Sequence, residues 1–206
     1  MSGKMRWAGL IAAAGVIWAC TPPKYVAYVS RQNDFKCSAP WGWSVMSEKE
    51  GTRYANTTFI GPFAPEFYLG APSLSVRWHA YSYPHRLADG VLEMYSSADD
   101  YIRQMINNVY GPQAELLEPV HDIFVAKRKA KHFVVLAPAP APEGRQWGTV
   151  LDAQSNKPVN LRQHAYVIVP MQQGFYVLVY PATREGFKLY EPHFNQLVNT
   201  FLPLLK

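Results

Sequence analysis

From Ser73 to Ser82 apolar and polar residues alternate strictly, with Leu74, Val76, Trp78 and Ala80 on one side and Ser75, Arg77, His79 and Tyr81 on the other. A period of two predicts a strand with one face on a core. Phe35–Ser38, Tyr54–Phe63, Val120–Ala126 and Lys131–Pro138 predict further strands, and a short one over Tyr25–Val29 fits its alternating tyrosines. Leu161–Val169 and Gly174–Tyr180 predict a hairpin across Pro170–Gly174. Helical spacing emerges at Tyr101, Ile102, Met105, Ile106 and Val109, with Ser96 or Ser97 as N-cap and Gly111-Pro112 as the stop. A second helix is expected to open at Pro192 and to bury Phe194, Leu197, Val198, Phe201 and Leu202. Ala137–Asn160 reads as a long proline-rich loop, and Lys127–Lys131 as a basic hairpin tip.

The N-terminus follows a different logic. Lys4 and Arg6 precede an unbroken apolar and glycine run from Trp7 to Ala19, 13 residues long. A bilayer-spanning helix needs roughly 20 apolar residues, so the run predicts a secretory signal. It ends Ile17-Trp18-Ala19-Cys20, which resembles the bacterial lipobox. That resemblance implies cleavage before Cys20 and acylation of its thiol and its freed amine, by palmitate or similar chains. More than one buried chain holds a protein stably on a membrane. The expected organisation is therefore a signal peptide at 1–19, lipidated Cys20 with a tether stiffened by Pro22-Pro23 over 20–33, and a single domain at 34–206. The expected location is the bacterial cell envelope, with the domain outside the cytoplasm and the membrane as a partner through the Cys20 lipid.

Composition supports a packed domain: 49% of the 206 residues are hydrophobic and 14% aromatic, against 17% charged. Seventeen prolines and thirteen glycines favour strands and fixed turns over a helical bundle. Signal removal takes two basic residues and lowers the net charge from +5 to +3, which argues against a nucleic-acid partner. Cys37 becomes the one mature thiol, and in a strand it reads as a small core hydrophobe.

Asp34-Phe-Lys-Cys-Ser-Ala-Pro-Trp-Gly-Trp43 resembles the opening strand and turn of PsbP-like domains. Gly174–Ala182, followed by Phe187, Tyr190, Phe194 and Val198–Phe201, resembles that family's last strand and closing helix. The resemblance implies an α/β (α+β) fold, an antiparallel sheet sandwiched by helices. Its motifs are turn and core residues, so it implies no catalytic residue and no cofactor.

Candidate chemistry is sparse. The six histidines, at 79, 85, 121, 132, 164 and 193, include no HExxH pair, and His79 could meet His121-Asp122 or His164 only if their strands were neighbours. Asp99-Asp100 is accounted for by a helix N-terminus. No G-x-S-x-G elbow or phosphate loop occurs. The expected function is therefore a lipid-anchored, non-enzymatic envelope protein that binds or stabilises a partner protein. The aromatic loop carrying Phe63, Phe67, Tyr68 and Leu69 is the first candidate contact. The alternative is a periplasmic binding module for a small apolar ligand or a metal ion.

Overall fold

A computed structural model describes residues 24–48, 56–68, 70–86, 92–141, 148–152 and 156–204. The strands in chain order are β1 (Tyr25–Val29), β2 (Phe35–Pro40), β3 (Ser44–Glu48), β4 (Asn56–Ile60), β5 (Ser73–Ala80), β6 (His85–Arg86), β7 (Leu92–Glu93), β8 (Glu115–Val125), β9 (Arg128–Pro140), β10 (Val150–Leu151), β11 (Pro158–Pro170), β12 (Gly174–Thr183) and β13 (Leu202–Pro203). Helix α1 covers Ala98–Gln104 and runs on into π-helical turns over Met105–Tyr110; α2 covers Phe187–Thr200. The main sheet is antiparallel in the order β3-β4-β5-β12-β11-β9-β8, with β10 added on β11. A smaller sheet, β1-β2-β13, packs with α2 on one face of it.

Side-chain alternation sorts the core into two layers. Leu74, Val76 and Trp78 point to the face that carries Phe194, Leu197 and Phe201, as the strand and helix periods predict. The opposite face buries Phe133, Val135, Tyr166, Ile168, Phe175 and Val177 under Tyr101 and Ile102 of α1. The result is an α+β sandwich with a sheet between helical layers.

Several sequence expectations need correction. The segment 25–29, expected within the tether, is strand β1 and pairs along its whole length with β2. Asp34 fixes this corner: its carboxylate accepts from Ser30 and from the Tyr176 hydroxyl at 3.0 Å, and its carbonyl accepts from Leu204 N. Helix α2 begins at Phe187, not Pro192, since burying Phe187 in the core favours the extra turn. Pro192 has no N–H to donate to the carbonyl of Lys188, an exposed residue, so the helix forgoes one internal bond there. The chain then leaves the helix at Phe201, so Leu202 joins β13 and is exposed.

In the first helix Ser97 is the cap, its side chain accepting from Asp100 N at 3.0 Å. Gly111 N reaches back five residues to Ile106 O, and this wider turn brings Tyr110 inward in place of Val109, which is exposed. Among its described residues, the proline-rich stretch is strand at 137–140, 150–151 and 158–160. Ala141 N donates to Pro158 O, so by alternation Pro138 and Pro140 turn their nitrogens to the side that β8 no longer reaches beyond Leu136.

Candidate functional site

Strands β8 and β9 are joined by a two-residue turn, Ala126-Lys127, with both φ values positive at 50° and 63°. Such a turn matches the strand twist, although no Gly or Asn announces it here. The short turn draws Arg128, Lys129 and Lys131 out of the expected basic tip and into β9. Lys129 and Lys131 instead bracket Asp122 across the strands, at 2.7 and 2.8 Å. Their hydrogen bonds hold the Asp122 carboxyl below its ordinary range. Asp122 thereby offsets one of the four basic charges expected at the tip.

Phe124 lies directly opposite Lys129 in the register and shares its face. It is 77% exposed, on a strand that forms the edge of the sheet. Lys129, its partner in the register, also lines a cleft of about 400 Å³ together with Tyr81, Ser97, Ala98, Asp99, Ala130, Lys131 and Pro170. An exposed aromatic ring, a nearby cleft with polar and apolar walls, and an ion triad that keeps one net positive charge together form an anchor-and-pocket surface. Residue pattern alone could not find it: Phe124 reads as one more apolar strand residue until the edge position is known. A second groove of about 320 Å³ has a more apolar lining, with Pro138, Val150, Leu151, Val159 and Leu161 beside Gln113 and Asp152.

The aromatic loop is placed differently. Pro65–Phe67 forms one 3₁₀ turn, closed by Tyr68 at φ 50°. Phe67 packs on Gly186, where an added Cβ would meet its ring, and stands 5.5 Å from Tyr190. Tyr68 is 5% exposed and donates to Glu185. Both rings therefore hold the loop onto α2 and the residues that lead into it, which rules out their replacement without loss of packing. Phe63, 62% exposed, is the outward residue of the group. Leu69 and Cys20 lie outside the described residues.

The histidines do not converge as a set. His79 and His85 approach to 4.6 Å within a cage of Tyr95, Tyr101 and Phe175, and neither ring nitrogen of His79 has a hydrogen-bond partner among the described residues. Burial, helped by His85 and Arg77, lowers the His79 pKa to about 3. His164 Nδ1 shares a 2.6 Å hydrogen bond with the Tyr110 hydroxyl, which also bonds Tyr166, and burial lowers the His164 pKa to about 4. His121 and His132 face each other at 5.2 Å, each with Nδ1 on a backbone carbonyl, and His132 Nε2 lies 3.2 Å from Glu118. Among the described residues no group of three or more His, Cys, Asp or Glu is arranged to hold a metal ion. Burial pushes the Cys37 thiol up to about 12, which leaves almost no nucleophilic thiolate at neutral pH. Asp100 is held down to about 2 by bonds from Ser96, Gln104 and Arg103, a helix-capping role rather than a cation site.

No protein-family model matches the chain, and no curated protein matches it in sequence. Its likeness is to solved structures. The solution structure of the cyanobacterial PsbP protein (CyanoP) from Synechocystis sp. superposes with a TM-score of 0.51 at 12% identity, covering 95% of this chain and 98% of that one. A crystal structure of a Pseudomonas aeruginosa protein of unknown function gives 0.50 at 14% identity, covering 89% and 100%. Likeness at such identity concerns the fold, and the fold is PsbP-like.

Proposed function

We propose that this protein is a lipid-anchored, non-enzymatic component of the bacterial cell envelope that binds a partner protein through Phe124 and the neighbouring cleft lined by Lys129. The observation that carries the reading is Phe124 itself, the most exposed of the large hydrophobic side chains described, set on an edge strand opposite Lys129, which lines the cleft. A large aromatic left in water is a standing cost that an interface removes. The lipobox-like ending at Cys20 supports the anchor and, with it, the envelope location. Phe63 is retained as a secondary contact, since it is the member of the aromatic loop that faces outward.

Two experiments test the reading. A photoreactive amino acid at position 124 of the full chain, expressed in its native envelope, is expected to give one discrete protein adduct. Phe124→Ala should weaken capture of that identified partner about tenfold or more, as aromatic anchors do. Its stability should stay within about 0.5 kcal/mol of wild type, the usual range for surface substitutions. Absence of an adduct, or capture unaffected by the substitution, sinks the Phe124 surface. Cys20→Ser is expected to abolish lipid labelling and release the chain from the membrane fraction; an unlabelled wild-type protein that washes off without detergent would refute the anchor.

A further inference from the structure

A run of half-buried rings lines the margin of the α2 side where the described chain begins. Phe67 meets Tyr190 at 5.5 Å, Tyr190 lies 6.3 Å from Trp43, Trp43 lies 5.3 Å from His193, and His193 lies 5.5 Å from Tyr25. Each of the five keeps part of its surface in solvent. Trp41, 53% exposed, extends the run: its backbone N donates to Lys24 O at 3.1 Å, which ties the indole's strand end to the first described residue. Leu189, beside Tyr190 in the chain, is also exposed. The Lys24 ammonium stands 5.5 Å from the Tyr25 ring and adds a cation to this corner.

We infer that this aromatic belt rests on the membrane interface, with Trp41 and Lys24 at the point of entry. The inference builds on the lipid-anchored reading above. Cys20 precedes Lys24 by four residues, and four residues span no more than about 14 Å. An acylated Cys20 therefore keeps the Lys24–Trp41 corner close to the headgroups. Trp and Tyr rings suit that layer because they offer an apolar body and a polar tip in one side chain. Lys24 meets anionic headgroups with the matching charge. The acyl chains supply the affinity, and the belt fixes which face looks down. Strand order then sets what looks away. Six inter-strand steps of about 4.8 Å separate β3, which follows Trp43, from β8. Phe124 thus lies on the strand at the far edge of the sheet from the belt, open to other envelope components.

The test uses the full chain, processed and lipid-modified, in vesicles of phosphatidylethanolamine and phosphatidylglycerol carrying nitroxide-labelled lipids near the headgroup. The difference in emission between wild type and Trp41→Phe isolates the Trp41 signal, since the conservative change is at an exposed site. Nitroxide lipids are expected to reduce that signal about twofold, as for a ring seated in the interface. The buried Trp78 should remain unquenched. If the protein is retained on vesicles but Trp41 is unquenched, the belt faces elsewhere and the inference fails while the lipid anchor stands. If the chain is not retained at all, both the anchor and the inference fall.

Discussion

Lowering the pH from 7 to 4.5 is expected to remove about 5 kcal/mol of folding stability, most of it through His79 and His164. Both rings are held neutral by burial, with folded pKa values of about 3 and about 4 against an ordinary 6.5. The unfolded chain therefore takes up two protons that the folded state refuses. Stability is complete above pH 6.5 and declines as pH falls from there towards the folded values, where the loss saturates. His79 is the sharper case, because its ring nitrogens lack partners among the described residues and its plane stacks at 17° on Phe175, 5.3 Å away. A phenyl ring can take that place without a buried proton site. Urea unfolding of His79→Phe across this pH range is expected to show about half the wild-type loss. Identical slopes for the two proteins would show that His79 protonates freely in the folded state.

The fold was readable where period and burial coincide. Strand β5 alternates because one face is core and Arg77 on the other is exposed, and Leu74, Val76 and Trp78 share that core with Phe194, Leu197 and Phe201 as their spacing predicts. Boundaries were less legible where a long-range contact overrules a local signal. Pro192 is a good helix opener, but burial of Phe187 extends the helix upstream of it. The π turns that bring Tyr110 onto His164 and Tyr166 shift the stripe by one residue, which a fixed helical period cannot express. Pro138 and Pro140 read as loop until the neighbouring strand is seen to end short of them.

The candidate surface was harder to read than the core. Aromatic residues marked the loop at Phe63–Tyr68, yet the same ring size that suits a partner also suits Tyr190 and Glu185, and those contacts claim Phe67 and Tyr68. Phe124 gave no such signal, since its exposure follows from lying on the last strand of the sheet. Lys129 and Lys131 looked like a charged tip because their partner, Asp122, stands on the opposite strand. Each difference depends on which strands pair, and pairing is not a local property of the chain.

Replacing Phe201 with Ala is expected to cost about 3–5 kcal/mol, the range for deleting a buried aromatic ring. Phe201 is 2% exposed and sits where α2 ends and β13 begins, its ring 5.5 Å from Phe35 and 5.2 Å from Tyr176. The cost depends on whether these walls can close on the vacated space. Tyr176 is pinned by its hydroxyl's bond to Asp34, and Phe35 is held in β2 between β1 and β13. Thr200 adds a further restraint on the helix end, accepting from Ser38 N at 2.9 Å. Collapse is therefore opposed from both sides, which places the loss in the upper part of that range. Phe201→Leu keeps most of the volume and should cost less than about 1.5 kcal/mol. Urea unfolding of the two variants reads the difference directly. A loss below about 1 kcal/mol for Phe201→Ala would mean that the ring is not the wedge between the closing helix and the sheet.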